Sequence, residues 1–283
     1  MKIGAFCVCD AGYIDPAIIA VDSFCRFNAG VKVVIYVESG ANFKRLKNAL
    51  IDKQVEFRVV DFPRFAEHDG LCGKFKDLFF KPENLPAYAQ RIAALQELKD
   101  ECDIIINFDL DTLTQGGIIT APFMQYAGRG VVMGVSEREN RTNWQTGLNL
   151  KDFAPMPNYI NTGLGVYGAD TIPANIVEQY REFLRNYAAD IYCPEQDFLN
   201  YLLSEKIKNI SSGYNLMFTS KDHRRIYPAL IHFVGSMKPW SAFVRSGPEC
   251  YYWRRYFAEV KLYRGLVSDD FYRHVEANTH AVL

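Results

Sequence analysis

Asp109-Leu110-Asp111 closes the apolar run Ile104–Phe108 and sets two carboxylates two positions apart. In extended chain such residues point to one side, with Cα atoms roughly 6–7 Å apart. Carboxylates about 5 Å apart repel by roughly 3 kcal/mol at an effective dielectric of about 20. That is about two pKa units, which favours protonation of one of them in the absence of a cation. A hard divalent ion removes the conflict, and oxygen ligands suit Mg²⁺ or Mn²⁺. Asp-x-Asp is also common in solvated turns. The all-apolar run before it favours a site, because ligands of open α/β sheets gather at the carboxyl ends of strands.

Three further groups could work with this pair. In His232-Phe233-Val234-Gly235-Ser236-Met237-Lys238-Pro239-Trp240, the imidazole can complete a metal site. Gly235 there permits close backbone approach, and Lys238 offers a point charge for phosphate. Glu195-Gln196-Asp197 follows Pro194, where acidic residues also suit a helix's first turn. In Tyr159-Ile160-Asn161-Thr162-Gly163 a polar Asn-Thr pair interrupts an apolar strand, so those groups have internal partners or face a cleft. Gly163-Leu164-Gly165-Val166-Tyr167-Gly168 matches G-x-G-x-x-G. Its glycines lie inside the strand pattern, not in a turn that opens a helix, which argues against a dinucleotide fingerprint. A P-loop is also absent, so bound phosphates would depend on a cation.

Positioning these groups requires strands whose ends meet. Hydrophobic patterning predicts strands over Lys2–Val8, Val31–Val37 and Val55–Val60. Helices are predicted between them at Pro16–Asn28, with Ile18, Ile19, Phe24 and Phe27 inward, and at Asn42–Asp52. This βαβαβ opening implies a parallel sheet with right-handed crossovers. An irregular excursion over 61–83 precedes a helix at Leu85–Leu98. Strands are then expected at Ile104–Phe108, Val131–Val135 and Tyr159–Tyr167, with a polar loop over 136–158. Pro173–Tyr187 reads as an amphipathic helix with Ile176, Val177, Tyr180, Phe183, Leu184 and Tyr187 on one face, and Glu195–Ser204 as a short apolar helix.

The 283 residues suffice for one α/β domain with a small addition, and 20 Phe and 17 Tyr among them can furnish a large core. Lys plus Arg is 32 against 33 Asp plus Glu, a balance that argues against a nucleic-acid partner. The opening Met1–Cys7 lacks signal-peptide features, and no apolar run is long enough for a bilayer. None of the seven cysteines forms Cys-x-x-Cys, which fits reduced thiols in a cytoplasmic protein. Beyond residue 240 the chain turns aromatic and basic, with Arg245, Arg254, Arg255, Lys261 and Arg264 among Tyr251, Tyr252, Trp253, Tyr256, Phe257 and Tyr263. Two readings stand for 241–283: an appendage resting on an anionic membrane surface, or one packed on the core.

Taken in order, Val8-Cys9-Asp10…Tyr13, Arg91, Asp109-Leu110-Asp111, Asn161-Thr162-Gly163, Gln196-Asp197 and His232…Gly235…Lys238-Pro239-Trp240 resemble glycosyltransferase family 8, over roughly residues 1–240. These are retaining enzymes with a GT-A fold: a Rossmann-like, mostly parallel sheet flanked by helices. The pattern is most like that of bacterial galactosyl- and glucosyltransferases of lipooligosaccharide synthesis. The resemblance implies a nucleotide-sugar-binding domain over 1–240 and Mn²⁺, or else Mg²⁺, on Asp109, Asp111 and His232. Val8, Asp10, Tyr13, Asp109, Leu110, Gly235 and Lys238 would hold UDP, with Tyr13 stacked on uracil. Arg91, Asn161, Glu195 and Gln196 would surround the donor sugar, with Gln196 on the reacting face. Gly12 stands where the family often has Asn, and Glu195 where it often has Asp. The activity implied is transfer of a hexose from a UDP-sugar to a glycan or lipid-linked glycan. The alternatives are a metal-dependent nucleotide-sugar hydrolase or phosphoesterase, and a non-catalytic nucleotide-sugar binder.

Overall fold

The structure, a computed structural model, describes residues 1–66, 84–119, 130–137, 158–187, 191, 193–217, 227–235, 238–241 and 249–280. A seven-stranded sheet has the order β3-β2-β1-β4-β7-β6-β8, and β5 (Thr112–Thr114), β9 (Leu216–Met217) and β10 (Leu230–His232) form a three-stranded sheet in the order β5-β10-β9. In the large sheet, β1 (Ile3–Cys9), β2 (Lys32–Glu38), β3 (Val55–Val60) and β4 (Ile104–Phe108) run parallel. β7 (Ile160–Gly168) is antiparallel to both β4 and β6 (Val132–Ser136), and β8 (Ile207–Asn209) pairs parallel with β6. β1 and β4 are nearly all buried because helices cover both faces of the sheet, as parallel pairing requires. The G-x-G-x-x-G run lies wholly within β7, as its strand pattern implies.

The helices are α1 (Ile14–Phe27), α2 (Lys44–Ala49), α3 (Leu85–Leu98), α4 (Ile176–Tyr187), α5 (Pro194–Leu203), α6 (Glu249–Leu262) and α7 (Asp269–His280). α1 starts two residues before the predicted Pro16, which its first turn accommodates because those N–H groups have no intrahelical acceptor. Phe27, expected inward, is 45% exposed, since it sits on the last turn, where the helix has left the sheet. α2 is shorter than the predicted Asn42–Asp52, and α4 starts at Ile176, past Pro173. The predicted 61–83 excursion and 136–158 loop fall mostly outside the described residues.

The aromatic C-terminal segment forms α6 and α7, which pack on each other and into the main core. Trp253, Tyr256, Val260 and Val275 are buried in one cluster with Phe24, Val33 and Phe108. Asn278 of α7 donates to the carbonyls of Pro239 (2.8 Å) and Ser241 (2.6 Å), and Ser268 donates to Asp15 of α1 through both N–H (3.1 Å) and hydroxyl (2.6 Å). Among the described residues, no helix is long and apolar enough to cross a membrane.

Candidate active site

Asp109 directly follows β4, the chain turns through Leu110 and Asp111, and Thr112 opens β5 (Thr112–Thr114) of the second sheet. β10 (Leu230–His232) lies antiparallel to β5 with His232 opposite Thr112, and the N–H of Phe233 donates to the carbonyl of Asp111 at 2.8 Å. This register carries an imidazole from more than a hundred residues downstream to the Asp pair. His232 Nε2 lies 3.5 Å from Asp109 Oδ2 and 3.2 Å from Asp111 Oδ1. One ligand atom from each of the three falls within 4.8 Å of the others.

A buried and a half-buried carboxylate beside one nitrogen demand positive charge. Burial disfavours the charged imidazole of His232, but Asp111 and Asp109 outweigh it and lift its pKa to about 9. Asp111 is held well below the usual carboxylate range: its own burial pushes up, and Lys238 and His232 more than reverse it. The Lys238 ammonium is ion-paired with Asp111, faces the Tyr13 ring at 5.8 Å and lies 6.0 Å from the Trp240 ring. The two carboxylates thus favour a proton on His232 and draw Lys238 to Asp111 and Arg91 to Asp109. A divalent cation fits the same donors: two carboxylates, one imidazole nitrogen and a strong local demand for positive charge.

On the other side, Arg91 of α3 is ion-paired with Asp109 and reaches Glu195 Oε2 of α5 at 3.3 Å. Burial pushes the Glu195 carboxyl up to about 7, even though Arg91 pulls it down. Gln196 is buried, and both ends of its amide are hydrogen-bonded. Its Oε1 accepts from the N–H of Thr162 (3.1 Å) and from Asn161 Nδ2 (3.1 Å), while its Nε2 donates to Tyr159 Oη (2.9 Å). Tyr159 Oη donates to Asp197 Oδ1 at 2.5 Å, and the N–H of Cys193 donates to Asp197 Oδ2 at 2.9 Å. The polar groups of Asn161 and Thr162 therefore have internal partners, one of the two outcomes their strand pattern allowed.

Val8 lies at the end of β1, and the Asp10 carboxylate accepts from the N–H of Gly12 at 2.8 Å in a short turn that carries Tyr13. Tyr13 meets Trp240 edge-on at 6.4 Å. Leu110 is buried, and Gly235 holds φ +68°, a backbone conformation that glycine adopts without strain. Asp109, Asp111, His232, Arg91, Glu195 and Lys238 are joined by direct contacts, Tyr13 adjoins Lys238, and Asn161 and Gln196 join them through Thr162 and Asn215. Leu110 links Asp109 to Asp111 in the chain, and the Asp10 carbonyl accepts from the N–H of Tyr13 at 3.2 Å. Ser236 and Met237 of the His-Phe-x-Gly-x-x-Lys-Pro-Trp stretch lie outside the described residues.

Two participants had no sequence signal. Asn215 is fully buried beside His232, and Glu137 accepts from Asn161 Nδ2 at 2.9 Å. An isolated Asn before a two-residue strand, or a Glu just after another strand, resembles any loop residue.

Residues 5–243 match the family described as Glycosyl transferase family 8. The chain belongs to glycosyltransferase family 8. The family 8 chain is similar in structure to the galactosyltransferase LgtC in complex with donor and acceptor sugar analogs. The TM-score is 0.67 and the identity 15%, covering 94% of this chain and 96% of that one. It is also similar to mouse xyloside xylosyltransferase 1, with TM-score 0.54, 13% identity, and coverage of 82% and 97%. A third similar structure is the glycosyltransferase GlyE of Streptococcus pneumoniae TIGR4, with TM-score 0.57, 13% identity, and coverage of 98% and 63%. These likenesses establish the GT-A fold. No curated protein matches the sequence.

Proposed function

We propose that this glycosyltransferase is a retaining, Mn²⁺-dependent hexosyltransferase. It would move galactose or glucose from a UDP-sugar to a glycan acceptor, such as a bacterial surface polysaccharide or lipooligosaccharide. The observation that supports this best is the convergence of Asp109, Asp111 and His232 beside the Arg91–Glu195 pair and Gln196.

Asp109, Asp111 and His232 would hold the ion, which when bound supplies Lewis-acid stabilisation of the leaving diphosphate. The imidazole favours Mn²⁺ over Mg²⁺ or Ca²⁺, which prefer oxygen. Lys238, released from Asp111 as the ion takes the carboxylate, would turn to the phosphates. Val8, Asp10 and Tyr13 would take the uridine, and Gly235 would let the backbone approach the diphosphate. Arg91, Asn161 and Glu195 would orient the sugar hydroxyls. Gln196 Oε1 already accepts two hydrogen bonds, which lowers its nucleophilicity. That favours stabilisation of the cationic sugar by the amide dipole, with the leaving phosphate helping to deprotonate the acceptor on the same face.

The nucleotide-sugar unit would span 1–240, with α6 and α7 bracing it through Asn278 and Trp253. A cytoplasmic enzyme at the inner membrane face fits a lipid-linked acceptor. Tyr252, Trp253, Tyr256 and Phe257 are buried, so Arg254, Lys261, Leu262 and Arg264 would make the contact. Co-sedimentation with anionic but not neutral liposomes tests that placement.

The decisive assay is UDP release from a panel of UDP-sugars by purified protein with Mn²⁺, with and without glycan acceptors. Acceptor-stimulated, EDTA-sensitive release from UDP-galactose or UDP-glucose is expected. Equal release without acceptor would indicate a hydrolase. Metal-dependent UDP binding with no turnover would indicate a binder.

A further inference from the structure

The fully buried side chain of Asn215 stands directly before β9 (Leu216–Met217). β9 runs parallel to β10, with Met217 beside His232, so the turn before β9 places Asn215 under the imidazole. Asn215 Oδ1 lies 3.1 Å from His232 Nδ1, and Asn215 Nδ2 lies 2.9 Å from Asn161 Oδ1.

The direction of every bond in this chain follows from two backbone groups that can only donate. The N–H of Gly163 donates to Asn161 Oδ1 at 2.9 Å, so that atom is the amide oxygen. The N–H of Thr162 donates to Gln196 Oε1 at 3.1 Å, which orients that amide too and lets it accept from Asn161 Nδ2. Facing an acceptor on Asn161, Asn215 must present its NH₂ group there and its oxygen to His232. An amide oxygen only accepts, so Nδ1 of His232 must carry hydrogen. Nε2 is then the atom left toward Asp109 and Asp111. Gly163 closes the other side of the ring: a Cβ there would fall 2.0 Å from His232 Cε1, so the imidazole lies against bare backbone.

We propose that Asn215 is a positioning residue that fixes the tautomer and orientation of His232, so that Nε2 is the atom offered to a divalent ion. The inference rests on the reading of Asp109, Asp111 and His232 as the metal site. It adds that the site's affinity, and its preference for Mn²⁺ over Ca²⁺, depend on a side chain that touches neither metal nor substrate. Partners of ligating imidazoles of this kind are commonly worth 10–100-fold in metal affinity.

The test is a titration of nucleotide-free protein with Mn²⁺, free ion being read by electron paramagnetic resonance, then repeated in competition with Ca²⁺. Asn215→Leu keeps the approximate shape and removes the acceptor. It should weaken Mn²⁺ roughly 10–100-fold and weaken Ca²⁺ less, so that Ca²⁺ competes better, a change that general loosening of the fold would not produce. Asn215→Val removes the acceptor with a smaller apolar side chain and should change both affinities in the same direction as Asn215→Leu. If Asn215→Leu does not fold, as judged by its metal-free thermal melt, Asn215→Val carries the test alone. Weaker Mn²⁺ binding with better Ca²⁺ competition in a folded Asn215→Val supports the inference, and wild-type values in it overturn the inference. Wild-type affinity and wild-type Ca²⁺ competition in a folded Asn215→Leu overturn the role of Asn215 alone. A wild-type protein that binds no Mn²⁺ overturns the metal reading and this inference together.

Discussion

Gly163→Ala is a one-methyl perturbation whose consequence can be worked from the geometry. A Cβ on Gly163 would sit 2.0 Å from His232 Cε1 and 2.4 Å from Nδ1. Carbon contacts settle at about 3.5–4.0 Å, so ring or strand must move by roughly 1.5 Å. The ring has little slack, being held at 3.1 Å by Asn215 and sitting 3.2 Å from Asp111. Overpacking of this kind costs about 1–3 kcal/mol, or roughly 2–6 °C in Tm for a chain of this size. Because the displaced group is the imidazole, Mn²⁺ affinity should fall about tenfold or more, the equivalent of about 1.4 kcal/mol. Gly4→Ala, at the far end of β1, is the control. Its Cβ would meet Cys102 Sγ at 2.5 Å, so it should cost stability without touching the metal site. Differential scanning fluorimetry and Mn²⁺ titration read both effects. Wild-type Tm and Mn²⁺ affinity in Gly163→Ala would refute the packing of His232 on bare strand backbone. An equal Mn²⁺ loss in Gly4→Ala would show general damage instead.

Gln196→Ala should lower kcat by roughly tenfold to a thousandfold with UDP affinity nearly unchanged, measured by UDP release and by UDP titration. An unchanged kcat would remove Gln196 from the mechanism. Glu195 holds its proton more tightly in the folded protein than when unfolded, its pKa rising from 4.5 to about 7. Its contribution to stability is therefore full below about pH 4.5 and lost as pH rises through about 7, on the order of 3 kcal/mol at about 1.4 kcal/mol per unit. Glu195→Gln should flatten that part of the Tm–pH profile of the metal-free protein. A profile that keeps its slope would place the titration elsewhere.

The parallel half of the fold was legible because its segments are long and strongly patterned. α3 and β4 have the limits their periodicity suggests, and β1, β2 and β7 shift by a residue. The second sheet was not legible. Strands of two or three residues, such as β9 and β10, carry no period, and only the pairing of β10 with Thr112–Thr114 and of β9 with β10 makes them strands. Phe27 misled because periodicity marks a helix face but not where that face leaves the core. In the C-terminal segment, the aromatic and basic composition obscured two amphipathic helices whose aromatic residues face inward. The site's charged and imidazole groups could be read from motifs, whereas Asn215 could not, since a buried amide gains its meaning from what lies on either side of it.

The central claim is that Asp109, Asp111 and His232 hold one divalent ion. Anomalous scattering from crystals grown with Mn²⁺ and UDP tests this most directly. The account predicts one strong peak bonded to His232 Nε2 and to oxygens of Asp109 and Asp111, with the diphosphate completing the ion's coordination. A peak that leaves His232 unligated, or no peak between these residues while UDP is bound, would contradict it.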